Sequence, residues 1–319
     1  MSVGEFQIIE KYFHQLTPSR DDVHTAIGDD CALLLPDTNK LLAVSTDTLV
    51  AGVHFFEETD AFRLGYKSLA VNLSDLAAMG AEPCWLSLAL TMPEVNEVWL
   101  SAFSKGLASL AKKFGIQLIG GDITKGPLSI TLTVHGKIEA EKVLTRSGAR
   151  PGDLLYVSGQ LGSAALALKK YLLNEDSIDN DLKNALEIPE PRVLLGESLA
   201  GLATSCIDIS DGLVADLGHI CEVSDCGASI YLEKLPCNRL VKEEIEMTGN
   251  WEIPLNGGED YELCFTVSPA SLSELDLIST KLNIDITRIG EMTDSKSVAI
   301  YDRSGEQINP STKGFTHFQ

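Results

Sequence analysis

Acidic residues recur in this chain where a carboxylate is costly to keep. Gly28-Asp29-Asp30 lies just before an apolar stretch, while Ser45-Thr46-Asp47 and Gly120-Gly121-Asp122 each close one. Asp208-Ile209-Ser210-Asp211-Gly212 opens a helical pattern, and Gly258-Glu259-Asp260 precedes a further apolar run. Ligand groups gather at strand ends in α/β sheets, and glycine there lets the backbone approach a ligand closely. Carboxylates grouped without His or Cys select hard cations, Mg²⁺ or Ca²⁺, over zinc. The sharpest case is Asp75, within VNLSDLAAMGA over 71–81. Leu69, Leu73, Leu76 and Ala77 recur at i, i+4, i+7 and i+8, so the stretch reads as an apolar helix that Gly80 ends. Asp75 sits in its middle, with Asn72 at i−3. An unpaired buried carboxylate costs on the order of several kcal/mol. Asp75 therefore either caps neighbouring backbone or needs a cation. Lys67 is too far back along the helix to serve, which leaves a cation distant in sequence or a metal.

Other chemistries lack their residues. Nothing matches GxxxxGK[ST], the protein-kinase motifs, HExxH or a Cys/His zinc spacing. Gly159-Gln160-Leu161-Gly162-Ser163 stands between a strand and a helix and could hold an anion at the helix N-terminus. It is not a full GxGxxG, and packing is its simpler role. Lys125 and Arg146 are loop cations able to reach phosphates, or else solvated surface charges. His54 follows the Asp47 segment in Gly52-Val53-His54-Phe55.

The elements that must position these residues alternate between strand and helix. Residues 4–16 read as a short amphipathic helix with Phe6, Ile9 and Phe13 on one face. Strands are expected over 29–35 and 41–46, the second buried, followed by the helix over 61–79. An apolar strand over 84–90, a helix after Pro93 through Lys113, and strands over 116–119 and 128–137 complete the first half. Arg150-Pro151-Gly152-Asp153 is a turn cluster and the domain boundary, giving domains 1–149 and 150–319. Beyond it, strands are expected over 154–158, 229–232, 263–267, 284–289 and 297–302, and helices over 163–173, 192–204, 213–223 and 271–281. Residues 174–183 are acidic and read as an exposed loop or helix end. The alternation implies an α/β or mixed α+β arrangement.

At 319 residues, with ordinary hydrophobic and charged fractions, the chain is expected to be a soluble two-domain protein. Its net charge of −21 argues against nucleic acid and anionic membrane as partners. It permits phosphate ligands only if divalent cations accompany them. No apolar run approaches the roughly 18 residues of a membrane span, and Glu5 and Glu10 stand where a signal peptide would be basic and then apolar. Seven scattered cysteines without a CxxC pair read as reduced, mostly packed thiols of a cytoplasmic protein.

Taken together, these segments resemble the thiamine-monophosphate kinase family. The likeness rests on Ala26-Ile27-Gly28-Asp29-Asp30-Cys31-Ala32, Ser45-Thr46-Asp47-Thr48-Leu49-Val50, Val53-His54-Phe55, the run from Asn72 to Pro83, Gly120-Gly121-Asp122-Ile123-Thr124, Asp208-Ile209-Ser210-Asp211-Gly212-Leu213 and Gly258-Glu259-Asp260-Tyr261-Glu262-Leu263. It runs in order from Gly4 to Phe315. The Asn-x-x-Asp-x-x-Ala-Met-Gly element is shared with the wider aminoimidazole ribonucleotide synthetase-like superfamily, while His54 and Gly-Gly-Glu-Asp-Tyr-Glu-Leu point to the kinases. The resemblance implies a two-domain fold of that superfamily: an N-terminal α/β domain whose mixed sheet dimerises, and a C-terminal α+β domain. It implies ATP-dependent phosphorylation of thiamine monophosphate to thiamine diphosphate by a homodimer using several Mg²⁺ ions. It places Asp30, Thr46, Asp47, Asp75, Asp122, Asp208 and Asp211 at the metals. Gly121, Asp122, Arg146 and Ser210 would meet ATP, and His54, Glu259 and Phe315 the thiamine substrate.

A phosphate-monoester acceptor is largely dianionic at neutral pH, since its second pKa is about 6. It needs no strong general base, and the chain shows no obvious nucleophile, so direct in-line transfer without a phosphoenzyme is expected. Other possibilities are a superfamily synthase with a different acceptor, a metal-dependent phosphohydrolase, and a non-catalytic nucleotide- or metal-binding module. Cys31, read as part of an apolar strand beside Ala32 and Leu33, argues against a selenophosphate synthetase. The ending Thr316-His317-Phe318-Gln319 argues against the cysteine tail of a hydrogenase-maturation relative.

Overall fold

The computed structural model describes residues 4–175 and 177–308. They form two compact units, one of residues up to 76 with 81–140, the other of 77–80 with the chain from 141 onward.

The first unit contains α1 (Glu5–Tyr12), β1 (Val23–Thr25), β2 (Leu33–Leu34), β3 (Leu41–Val50), α2 (Ala61–Ala78, its last two residues grouped with the second unit), β4 (Glu82–Met92), α3 (Glu97–Lys113), β5 (Gln117–Lys125) and β6 (Ser129–Ile138). Four strands make one mixed sheet in the order β3-β6-β4-β5, with β4 and β5 parallel and the other pairs antiparallel. Leu86, Leu88, Leu90, Ile130, Leu132 and Val134 are buried on one face, as period-2 alternation requires. Most apolar residues of α2 and α3 are buried as well, Phe62 and Val98 excepted, and the two helices touch backbone to backbone. A Cβ on Gly65 would overlap the Phe103 carbonyl, and one on Gly106 the Phe62 carbonyl. The opposite face carries Thr46, Thr48, Thr131 and Thr133. Near one end, Val23, Ala32 and Leu34 pack on Trp85 and Ile119.

The second unit contains β7 (Leu154–Ser158), α4 (Ser163–Leu172), α5 (Asn180–Glu187), α6 (Val193–Leu199), β8 (Ser205–Asp208), α7 (Leu213–Ser224), β9 (Gly227–Tyr231), α8 (Arg239–Thr248), α9 (Glu252–Asn256), β10 (Leu263–Val267), α10 (Leu272–Leu282), β11 (Ile286–Thr293), β12 (Val298–Tyr301) and β13 (Gln307–Ile308). Its mixed sheet runs β13-β12-β9-β11-β7-β10-β8. Leu155, Val157, Ile207, Leu217, Ile220, Cys264 and Ile289 lie in one buried cluster.

Several expectations are corrected. The strand over 29–35 shrinks to Leu33–Leu34, because Gly28 to Asp30 stay in an exposed turn with Gly28 at φ +123°. Cys31 is exposed and precedes β2; the other six cysteines are buried. β3 and β5 run past their apolar cores, so Asp47 and Asp122 sit within strands and not at their ends. β3 is largely exposed in the chain, with Leu41, Leu42 and Val44 each more than half accessible. In α1 the buried residues are Ile8 and Tyr12, one turn apart, while Phe6 is 82% exposed. The helix over 192–204 stops at Leu199 and a strand, β8, follows. Residues 174–183, expected as an exposed loop or helix end, run into α5, whose Leu182 and Leu186 are buried. No helix among the described residues is long and apolar enough to cross a membrane.

Candidate active site

In the first unit, β3 and α2 meet through side chains that the sequence singles out. Alternation puts Ser45 and Asp47 on the face of β3 opposite Thr46 and Thr48. Asn72 and Asp75 lie one turn apart on α2. The Ser45 hydroxyl donates to Asp75 Oδ2 at 2.5 Å, and the Asp47 backbone N–H donates to Asn72 Oδ1 at 3.1 Å. Asn72 is buried and Asp75 partly so. Burial pushes the Asp47 carboxyl up to about 6, and the negative charge of Asp75 adds to the shift. Two carboxylates that repel each other, with only oxygen ligands near, suit a hard divalent cation. Among the described residues, no three His, Cys, Asp or Glu side chains converge tightly enough to hold a metal ion alone.

The remaining acidic residues of this unit stand apart from that pair. Thr46 turns its hydroxyl to Thr133 Oγ1 at 2.9 Å, on the other face, so only its main chain adjoins Asp47. Asp122 pairs with Ala89, which pairs with Thr131, which pairs with Thr48. That row lies on the open face, and β5 is three strands from β3, roughly 14 Å at the usual strand spacing. Within one chain, Asp122 therefore does not join Asp47. Gly121 (φ +154°) presses against Leu88, whose carbonyl a Cβ would overlap, so the strand pairing itself demands glycine there. Asp30 is exposed in its turn. His54 Nδ1 accepts from Val50 N–H at 3.0 Å, which places the proton of the neutral ring on Nε2.

The second unit assembles its own set at one end of its sheet. β8 finishes at Asp208 opposite Leu263, the first residue of β10, so the loops over 209–212 and 258–262 leave side by side. They are tied together: Glu259 N–H donates to the Ser210 carbonyl and Tyr261 N–H to that of Ile209, both at 2.8 Å. Glu259 (φ +72°) and Tyr261 (φ +49°) both hold left-handed backbone, a strain of about 1–3 kcal/mol each for such residues. Asp208 is buried, and Ser210 and Asp211 are half-buried. Asp260 turns away, its two carboxylate oxygens each 3.0 Å from Gly162 N–H. Arg146 is exposed, and its guanidinium makes no hydrogen bond among the described residues. Its carbonyl accepts from Ser224, and the neighbouring Thr145 carbonyl accepts from Cys206 N–H. Phe315 lies outside the described residues.

Three supporting roles escape a reading of motifs alone. Ser45 and Asn72 belong to the motifs, but the bonds by which they hold Asp75 and Asp47 are not readable from them. Asp216, four residues past Gly212, accepts at Oδ2 from the N–H groups of Ser210, Asp211 and Gly212 at 3.0, 3.1 and 3.1 Å. It fills the N-terminus of α7 and sets the loop that displays Asp208, Ser210 and Asp211. Burial, then the charge of Asp211, raises its carboxyl to about 6 despite those three donors. Asp216→Ala is expected to cost about 2 kcal/mol, the upper range for lost helix caps. Urea unfolding together with amide exchange at residues 210–212 checks this. Elsewhere in the unit, a cavity of about 530 Å³ is lined by Gly159, Gln160 and Ser163 of the strand-to-helix turn together with Arg192, Asp260 and Glu262, and by none of the residues that the resemblance assigns to metal, ATP or substrate. There the half-buried Arg192 pairs with the buried Glu262, which also accepts a hydrogen bond from the Ser158 hydroxyl.

Comparison with known proteins adds three findings. Residues 28–138 match the family described as AIR synthase related protein, N-terminal domain, and 150–303 its C-terminal domain. The chain is 49% identical to a thiamine-monophosphate kinase of Escherichia coli (strain K12), over all of this chain and 99% of that one. Among solved structures it resembles thiamine-monophosphate kinase from Stenotrophomonas maltophilia K279a (TM-score 0.88, 42% identity, 97% and 99% of the two chains). It also resembles "AaThiL complexed with AMPPCP and TMP" (TM-score 0.77, 31% identity, 92% of each chain).

Proposed function

We propose a function from the premise that the chain belongs to the AIR synthase related family and, within it, to the thiamine-monophosphate kinases. It phosphorylates thiamine monophosphate with ATP, giving thiamine diphosphate. The observation that carries this is the whole-length likeness to a relative holding AMPPCP, an ATP whose β,γ-bridging oxygen is a methylene, together with TMP. The two-domain fold and the two mixed sheets accord with it.

The finer chemistry belongs to the same proposal. Asp47 and Asp75 in the first unit, and Asp208 and Asp211 in the second, would hold Mg²⁺, with Asp30 and the Thr46 main chain as further oxygen donors. When bound, Mg²⁺ neutralises the facing phosphates and aligns them. The chain's own residues bind and orient. Arg146 meets ATP phosphates, with Ser210 and the Gly121–Asp122 backbone as further contacts. Glu259 faces the cationic thiazolium, and His54 offers Nε2–H to the substrate. The acceptor phosphate is its own nucleophile, so transfer is direct. ADP release that needs both thiamine monophosphate and Mg²⁺, and stops with EDTA, supports this. Equal ADP release without the acceptor would make the chain a hydrolase. Arg146→Ala is expected to raise the KM for ATP about tenfold, the scale of one charge-assisted phosphate contact. The KM for thiamine monophosphate should move far less, and steady-state kinetics in both substrates measures the split.

The active form is a homodimer, and its partner completes the metal site. The exposed Leu41, Leu42 and Val44 on β3, an edge strand, are an unpaired surface that a second sheet would cover. Asp122 stands on the open face near the other edge, where it can serve a second copy and not its own Asp47. Seven unpaired thiols, six of them buried, accord with residence in the cytoplasm.

A further inference from the structure

We infer that Asn72 is a positioning residue that sets the direction of the Asp47 carboxylate; the inference rests on the metal role proposed above for Asp47 and Asp75. Asp47 is half-buried, and its carboxylate makes no hydrogen bond among the described residues. Its aim is therefore set by its main chain. Asn72 holds that main chain from α2. Its side chain is 1% exposed, Oδ1 accepts the Asp47 N–H at 3.1 Å, and Nδ2 donates to the Ser68 carbonyl at 3.0 Å. One bond fixes the amide on its own helix and the other reaches the strand, so both the position and the flip of the amide are determined. One turn on, Asp75 accepts from Ser45. α2 is thus fastened to β3 at two points, two residues apart on the strand and three on the helix. One point carries a carboxylate directly, and the other carries it through the backbone.

The residue type follows from the task. The position needs an acceptor for an N–H and a donor to a helix carbonyl on a side chain of this length. Leucine would leave the Asp47 N–H without its acceptor. Glutamine would be one methylene too long for the gap. Aspartate would keep the acceptor but lose the donor.

The test uses the full chain and Mg²⁺ alone. Isothermal titration of Mg²⁺ into metal-free protein is expected to show Asn72→Ala binding about 10- to 100-fold more weakly, the range for lost outer-sphere partners of a metal site. Its kinase activity should need correspondingly more Mg²⁺ and recover in part at high concentration. Asn72→Asp, which keeps the acceptor, should bind Mg²⁺ as tightly as the wild type or more tightly. Should Asn72→Ala not fold, Asn72→Ser carries the same expectation, because its hydroxyl ends one bond short. Wild-type Mg²⁺ affinity in the alanine or serine variant overturns the inference, even if the melting temperature falls. So does an aspartate variant as weak as alanine. Failure of the wild type to phosphorylate thiamine monophosphate would instead overturn the kinase proposal, and the calorimetry would still report on the clasp.

Discussion

Asp75→Asn is expected to keep the fold and lose at least about a thousandfold in turnover, the scale for removing a main electrostatic contact at a phosphoryl-transfer site. The fold survives because an asparagine oxygen can still accept from Ser45. What disappears is half of the carboxylate pair. The same change should make the metal-free protein slightly more stable at neutral pH, and the sign follows from Asp47. Its folded pKa is raised to about 6, by burial first and by Asp75 second. The folded state therefore holds a proton that the unfolded chain releases near pH 4. Stability from this group is fully present below about pH 4 and is lost as pH rises through 6. Removing the Asp75 charge lessens the second cause and leaves the first. The variant should thus gain on the wild type between pH 4 and 7 by about 1 kcal/mol or less. Urea unfolding of both proteins in EDTA at several pH values measures this. Near-normal activity, or a variant losing ground as pH rises, would remove Asp75 from the metal site.

Mixing two inactive variants should restore activity. Asp47→Asn and Asp122→Asn each remove one carboxylate of the proposed metal site. If the partner supplies Asp122, a heterodimer places both substitutions in one site and leaves the other whole. Random reassortment makes half the dimers mixed, so activity should return to roughly one quarter of wild type in a two-fold symmetric dimer. If Asp47 and Asp122 of the same chain worked together, every site in the mixture would carry a lesion and activity would stay at background. The expectation comes from register: Asp122 shares a row with Ala89, Thr131 and Thr48, whereas Asp47 shares one with Leu132 and Leu88. Sedimentation velocity on the mixture confirms that reassortment has occurred.

Much of this site is legible in the sequence because its residues are costly in their contexts. Asp75 in an apolar helix, and Asp47 within an apolar stretch, are conspicuous through what they would lose by burial. Gly121 was legible as a glycine but not for its reason, which is the carbonyl of Leu88 on a parallel neighbour. Register is what the sequence conceals. Period-2 alternation says that Thr46 and Asp47 face opposite ways, but the apolar pattern stops there, and a strand end imposes no facing. For the same reason residue type does not reveal that, within one chain, Asp122 and Asp47 lie on opposite faces of the sheet. Asp216 was hidden because its three donors are backbone N–H groups, which leave no trace in residue type. In the fold, β8 is hidden because Cys206 and Ile207 continue the apolar pattern of the preceding helix. The apolar neighbours of Cys31 suggest a strand, although the turn from Gly28 to Asp30 breaks the backbone just before it.

The most direct test of the account is phosphorus NMR of the purified protein with ATP, Mg²⁺ and thiamine monophosphate, beside a sample without the acceptor. A diphosphate ester should grow as ADP forms, only in the complete mixture, and no free phosphate should accumulate. ADP and free phosphate appearing at equal rates in both samples, or an unchanged spectrum with folded protein, would contradict it.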